Sequence, residues 1–226
     1  MKLNQNTTDI LTNFAGINTN ILIKQGNELS TISTMRNIFA KAKITDQFTK
    51  EFGIYDLNQF LSAVSSATKP GLSFKDKHLE IFEEGFPKNK DDFFYSDSSV
   101  LTKLPKEDPK MPEADVTFSL TESNYKKLLK KALIYQVPDL ALIGTKGGDV
   151  VLKVYDKKND TSNSSTIVVG ENATADYTFY FKVENMKMLD GDYDVSVSSK
   201  KISHFKHKTK PIEYWIALES DSTITK

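Results

Sequence analysis

Stretches of alternating hydrophobicity and stretches with a 3.6-residue period follow one another along the chain, and they do so twice in the same order. In the first half, Met1–Asn4 reads as a short strand. An amphipathic stretch follows, with Thr7, Thr8 and Asp9 as its opening turn and Ile10, Leu11, Phe14 and Ala15 as its apolar side. Asn20–Lys24 and Leu29–Ser33 flank Gln25-Gly26-Asn27, which predicts a hairpin. Glu51–Leu61 reads as a strand running into a helix capped by Asp56, with Leu57, Phe60, Leu61 and Val64 on one stripe. Leu72–Phe74, Leu79–Phe82 and Phe93–Ser96 close the half as strands.

The second half repeats that order. Val116–Leu120 alternates as a strand, and a helix starts at Thr121-Glu122-Ser123-Asn124 and runs to about Ile134. Asp139–Ile143 and Val150–Tyr155 are strands on either side of a Lys146–Asp149 turn. Tyr177–Val183 is a strand entering a shorter helix at Glu184–Met188. After the tight-turn pair Asp190-Gly191 come strands at Tyr193–Ser198, Ile202–Phe205 and Tyr214–Leu218. Asn159–Ser165 is a polar loop. Between the halves, Val100–Pro112 holds three prolines, which fit neither a helix interior nor a central strand, so it reads as an extended connector. The expectation is an α+β chain of two similar domains, residues 1–99 and 113–226, joined by 100–112. Each helix has a single apolar face, so each should lie on a mostly antiparallel sheet and show its other face to solvent.

The exposed faces differ in charge. On the helix from Glu122, Tyr125, Leu128, Leu129, Ala132 and Leu133 fall on one side, and Lys126, Lys127, Lys130 and Lys131 on the other, with no acid among the four. Each like-charge repulsion costs only about 0.2–0.5 kcal/mol, so such a face is tolerable alone and favourable beside a polyanion. A plain solvated face is the competing reading. The first helix shows Asp9, Thr12 and Asn13, and the second Asn58, Gln59, Ser62, Ser65 and Ser66, which are polar and almost uncharged. A second basic run, Lys200, Lys201, His204, Lys206, His207, Lys208 and Lys210, reads as an exposed hairpin.

Composition narrows the chemistry. The chain has 226 residues, with 30 Lys+Arg against 30 Asp+Glu, so bulk charge is not what would hold a nucleic acid. Positive charge gathered on one face would. Arg36 is the only arginine, which leaves the chain poorly equipped for bidentate reading of bases. An AT-rich coding sequence is the plain explanation of that bias. With no cysteine, disulfides, thiol catalysis and Cys-based zinc sites are excluded. Neither a secretory leader nor an apolar run of membrane-spanning length is visible.

Enzyme signals are missing as well. The chain has no phosphate-binding glycine loop, dinucleotide fingerprint or nucleophile elbow. His78, His204 and His207 show no metal-ligand spacing with acids, and His204 and His207 should face opposite sides of a strand. Asp190–Asp194 reads as a turn rather than a calcium loop. Asp91-Asp92 is an acidic pair in a loop. No cofactor, metal or catalytic residue is expected.

Short segments throughout the chain resemble the sliding clamps of T-even-type bacteriophages. They are Met1-Lys2-Leu3 with Thr7-Thr8, Leu11, Asn13-Phe14-Ala15 and Ile17-Asn18; Ile54–Asn58 with Phe60-Leu61; Asn185–Met188 with Gly191 and Tyr193; and Ala217-Leu218-Glu219 with Asp221-Ser222-Thr223. Residues 69–112 match in layout only. The resemblance implies a homotrimeric ring of two-domain subunits in the cytoplasm of an infected bacterium. Helices would line its hole and sheets form its outer wall. It implies double-stranded DNA, a replicative DNA polymerase, an ATP-driven clamp loader and late transcription factors as partners. Lys126, Lys127, Lys130 and Lys131 then become the DNA-facing set. In this family the first helix also carries lysines, whereas here the matching region offers Gln5, Thr12 and Asn13. Clamps receive partner peptides in an apolar pocket beside the connector, where this chain offers Leu101, Leu104, Met111, Trp215, Ile216 and Leu218. Two rivals stand beside this reading. One is a phage structural protein built from duplicated β-rich domains, and the other an enzyme using Asp91, Asp92 or the His204 region.

Overall fold

In a computed structural model, which describes residues 1–225, the chain divides into two compact units, Met1–Lys106 and Glu107–Lys226. The division falls inside the proline-bearing stretch.

The first unit opens on extended residues. The Met1 amine donates to Leu72 O at 2.6 Å, and Leu72 N–H donates to Met1 O at 2.7 Å, so the start of the chain pairs with a later strand. Helix α1 spans Gln5–Ile17 and is capped by Asn4, whose side chain accepts from Thr7 N at 2.9 Å. This corrects the expected start: Thr7 is inside the helix and fully buried. Strands β1 (Ile21–Ile23), β2 (Gly26–Ile32), β3 (Ile38–Phe48) and β4 (Phe52–Ile54) follow. The expected hairpin between the first two does not form. β1 pairs antiparallel with β4, and β2 with β3. Helix α2 (Leu57–Ser66) is capped by Asp56 and buries Leu57, Phe60 and Val64. Strands β5 (Pro70–Phe74), β6 (His78–Glu83) and β7 (Lys90–Phe94) make an antiparallel sheet in that order. Asp91 and Asp92 are therefore on a strand, not in a loop. A 3-10 turn at Ser98–Val100 leads out. Ile10, Leu11 and Phe14 of α1 are fully buried and pack with α2 and β3.

The second unit has the same plan. Strand β8 (Val116–Leu120) leads into helix α3 (Glu122–Tyr135), then β9 (Asp139–Gly144), β10 (Val150–Tyr155), β11 (Ser165–Gly170) and β12 (Asp176–Lys182). In place of the expected short helix stands a 3-10 turn, Val183–Asn185. Strands β13 (Tyr193–Ser198), β14 (Ile202–His207), β15 (Ile212–Ala217) and β16 (Thr223–Thr225) finish the chain. The sheet order β11-β10-β9-β12-β16 forms one side of the core. The antiparallel run β15-β14-β13-β8 forms the other. Tyr177, Phe179 and Phe181 of β12, with Tyr193, Phe205 and Tyr214, turn inward at two-residue spacing and are buried. Tyr193 sits 6.4 Å from Phe205 and 6.1 Å from Tyr214 in edge-on contact, and Phe181 6.1 Å from Phe205.

The pairing shows the internal repeat more clearly than the residues do. β1 pairs with β4 as β9 pairs with β12, and β2 with β3 as β10 with β11. Met1 meets Leu72 of β5 as β8 meets β13. The start of the connector is fixed to the first unit. Ser96 N–H donates to Gly53 O at 2.9 Å, and Thr102 N–H to the Asn20 side chain at 2.8 Å. A Cβ on Gly53 would lie 2.5 Å from Ser96 O and 2.6 Å from Leu101 Cδ1, so only glycine lets this strand approach so closely. Gly53→Ala should lower stability by about 1–3 kcal/mol, as overpacked sites do, measured by urea unfolding of the purified protein.

Candidate functional site

Helix α3 is held by side chains at its start and by backbone geometry at its end. Thr121 Oγ1 accepts from Asn124 N at 3.2 Å, and Asp192 accepts from Glu122 N at 2.7 Å. At the C-terminus Gln136 adopts a left-handed conformation (φ 54°), and Val137 N–H returns to Ala132 O at 3.0 Å. The buried side consists of Tyr125, Leu128 and Ala132. Tyr125 is the anchor. Its hydroxyl donates to Met186 O at 2.7 Å and accepts from Met188 N at 3.2 Å, and burial pushes its pKa up to about 12.

The opposite side carries Lys126, Lys127 and Lys130, all exposed, and Lys131, half-buried. Lys131 Nζ lies 5.4 Å from the centre of the Tyr135 ring. The expectation of an uncompensated lysine face needs correcting at Lys126. Its ammonium is 2.6 Å from Glu122 and 2.9 Å from Asp190, and these carboxylates raise its pKa to about 12. Lys127 and Lys130 have no ion pair among the described residues. Leu133 also departs from expectation. It is 78% exposed, with Ile134 at 56%, because both lie at the margin of the apolar arc, where the helix is ending.

Helices α1 and α2 present polar and almost uncharged groups, as their sequences suggest, with Asp9 half-buried and bonded to Gln5 at 2.8 Å. Thr12, Asn58, Gln59, Ser62, Ser65 and Ser66 are exposed, and the Thr12, Ser65 and Ser66 hydroxyls bond back to their own helices. The second basic run, expected as an exposed hairpin, has structural roles in three of its members. His207 is buried on β14. Its Nδ1 accepts backbone N–H groups of Thr209 and Lys210 at 3.2 Å each, which leaves Nε2 to donate to Asp190 O at 3.2 Å. His204 faces the other way, stacked on Trp215 at 4.6 Å with Glu213 at 2.7 Å. Lys208 pairs with Asp194 at 3.3 Å and donates to Ser119 at 2.6 Å.

The six residues proposed for peptide docking are not equivalent. Ile216 is fully buried, and Leu101 and Leu218 are 6% and 7% exposed, each inside its own unit. Leu104, Met111 and Trp215 are half-buried. Leu101 and Leu104 belong to the first unit, and the other four to the second.

Sequence reasoning missed one cluster. Pairing of β6 with β7 brings His78, Glu80 and Asp92 together, with ligand-capable atoms within 4.8 Å of one another. Glu80 and Asp92 are register partners, and no spacing in the sequence reveals that. Glu80 is already met by Lys75 at 3.1 Å and by Lys90, and these ammonium groups hold its carboxyl below the usual range. Two cations on the central carboxylate make the cluster an ion-pair network.

Two family models match the chain. The family described as DNA polymerase processivity factor matches residues 2–73, and that described as gp45 sliding clamp, C terminal, matches residues 117–220. The chain is 31% identical to the sliding clamp of Vibrio phage KVP40 over 97% of its own length and 100% of that protein's. It is 29% identical to the sliding clamp of Enterobacteria phage T4, covering 99% of each. Its fold is similar to that of A. fulgidus PCNA, solved with the C-terminal region of FEN-1 bound. The TM-score is 0.68 at 13% identity, with 96% of each chain covered. Replacing Tyr125 by Phe should cost about 1–3 kcal/mol, because the buried Met188 N–H and Met186 carbonyl lose their partner. Thermal unfolding of Y125F beside the parent protein measures it.

Proposed function

The chain belongs to the sliding-clamp family of DNA polymerase processivity factors, and on that premise we propose that it closes as a homotrimer around double-stranded DNA and tethers a replicative polymerase there. The observation that carries the proposal is the lysine face of α3, where Lys127 and Lys130 have no ion pair among the described residues, in a chain with one arginine and no net charge. Lysine–phosphate contacts are blind to sequence, and each is replaced by an equivalent one as the duplex moves, so they centre DNA without fixing it. Lys127 and Lys130 supply the main contacts, with Lys131 beside them and Lys126 held back by its carboxylates. Apart from the carboxylates at the start of α3, the acids lie elsewhere, which is how a neutral chain serves a polyanion. An ATP-dependent loader opens the ring, and in the cytoplasm of the infected host late transcription factors use it too. No catalytic role is proposed, and family membership displaces the structural-protein reading.

Ring closure needs strand edges free to join. β11 is an outer strand of its sheet and shows Val168 at 52% exposure, and β7 is an outer strand of its own and shows Phe94 at 66%. Two unblocked edges with exposed apolar side chains on different units suit a head-to-tail contact between copies. Leu104 and Met111 of the connector and Trp215 of β15, all half-buried, are the candidates for contact with partner peptides, whereas Leu101, Ile216 and Leu218 are buried within their own units.

Three measurements test this. Lys127→Ala/Lys130→Ala should cut processive synthesis several-fold in a reaction with polymerase, loader and ATP, while light scattering still reports a trimer. Unchanged synthesis at physiological salt would refute the role of α3. Val168→Lys should convert the trimer largely to monomer in the same light-scattering assay, and a persisting trimer would place the contact elsewhere. Trp215 fluorescence should shift when the polymerase's terminal peptide is added.

A further inference from the structure

The lysine face of α3 has an acidic border. Glu122 begins the helix, and Asp190 and Asp192 come from the loop between the Val183–Asn185 turn and β13. The loop is fixed in place. Met188 N–H is tied to Tyr125, and Leu189 N–H donates to the Tyr214 hydroxyl at 3.0 Å. Gly191 takes a φ of 149° directly against His207, where a Cβ would lie 2.1 Å from Nε2. Asp190 O is held by that same imidazole. The loop therefore delivers two carboxylates to the N-terminal end of α3 by construction, not by chance of rotamer.

We propose that Glu122 and Asp190 act as an electrostatic governor: they hold Lys126 out of the DNA contact and so limit how tightly the ring grips its duplex. Two carboxylates hold one ammonium at this end of the helix, with Asp192 beside them on Glu122 N, while Lys127 next to it and Lys130 and Lys131 a turn further on are free of acid partners among the described residues. A phosphate approaching Lys126 must displace two carboxylates at 2.6 and 2.9 Å and accept their repulsion. That repulsion acts well within the Debye length of about 8 Å at physiological salt. Both acids are well exposed, at 45% and 62%, so the pairing adds little to the stability of the fold. Its effect is on the ligand. A clamp must slide, and every additional lysine–phosphate contact steepens the salt dependence of binding and slows movement along the strand.

This inference rests on α3 facing DNA, and the experiment separates the two. A short blunt duplex, which can enter the assembled ring end-on, is titrated into the trimer across about 50 to 200 mM salt, and the slope of log K against log salt is read by NMR or fluorescence anisotropy. The parent protein is compared with E122Q/D190N, with E122Q/D190N/K126A and with K127A/K130A; Asp192 is kept because it caps the helix. E122Q/D190N should bind several-fold more tightly at the low-salt end, with a slope steeper by about 0.9 per lysine released, and adding K126A should abolish the gain. No gain in E122Q/D190N, or a gain that survives K126A, overturns the governor while leaving the DNA-facing helix intact. An unchanged K127A/K130A overturns the underlying reading instead. Light scattering confirms that each variant remains a trimer.

Discussion

A helix can offer like charges to a ligand only if its other side is locked, because otherwise it turns or frays to relieve them. In α3 the lock is the Tyr125 hydroxyl, which bonds both Met186 O and Met188 N–H beneath the helix. A phenol in that position sets the height of the helix above the sheet and its rotation about its own axis. It also binds α3 to the loop that carries Asp190 and Asp192. One buried contact thus fixes where the lysines point and how many carboxylates stand beside them. The packed ring of Tyr193, 6.5 Å away, continues the same support into the core.

The two units carry out one plan with different emphasis. Their strand pairing corresponds element by element, yet α2 is a ten-residue helix where the second unit has only a 3-10 turn. Their surfaces differ more. α1 and α2 expose hydroxyls and amides, several bonded back to their own helices, whereas α3 exposes ammonium groups. Among the described helices the positive charge is concentrated on α3, in the second unit, while those of the first unit are polar and almost uncharged.

Elements with local signatures were legible. α2 with its Asp56 cap, and α3 with its Thr121 cap and periodic Tyr125, Leu128 and Ala132, follow directly from spacing. What pairs over a distance was not. The Gln25-Gly26-Asn27 turn suggested a hairpin, but β1 found its partner in β4, because burying Ile21, Ile23, Phe52 and Ile54 together outweighs a turn motif. The longest strand, β3, went unread. Its inward residues include Ala40 and Ala42, whose small side chains give weak alternation against Lys41 and Lys43. Half of the Lys126 compensation was visible, since Glu122 stands four residues earlier. The other half, Asp190, arrives through the fold. The same holds for His78 and Asp92, brought together only by strand register.

The sparseness of free charge on α3, the face proposed to meet DNA, bears on how such a protein would hold its ligand at all. Two fully free lysines per chain, multiplied by a small ring, give a sequence-blind attraction of the order seen in non-specific binding, about 10⁻⁴–10⁻⁶ M at physiological salt, and weaker as salt rises. A clamp that relied on that attraction would leave DNA within moments. Retention has to come from closure, and so from the strand edges that join copies, while the lysines decide only how freely the enclosed duplex moves. In the proposed ring that contact would draw on Val168 and Phe94, which are exposed on outer strands of their sheets.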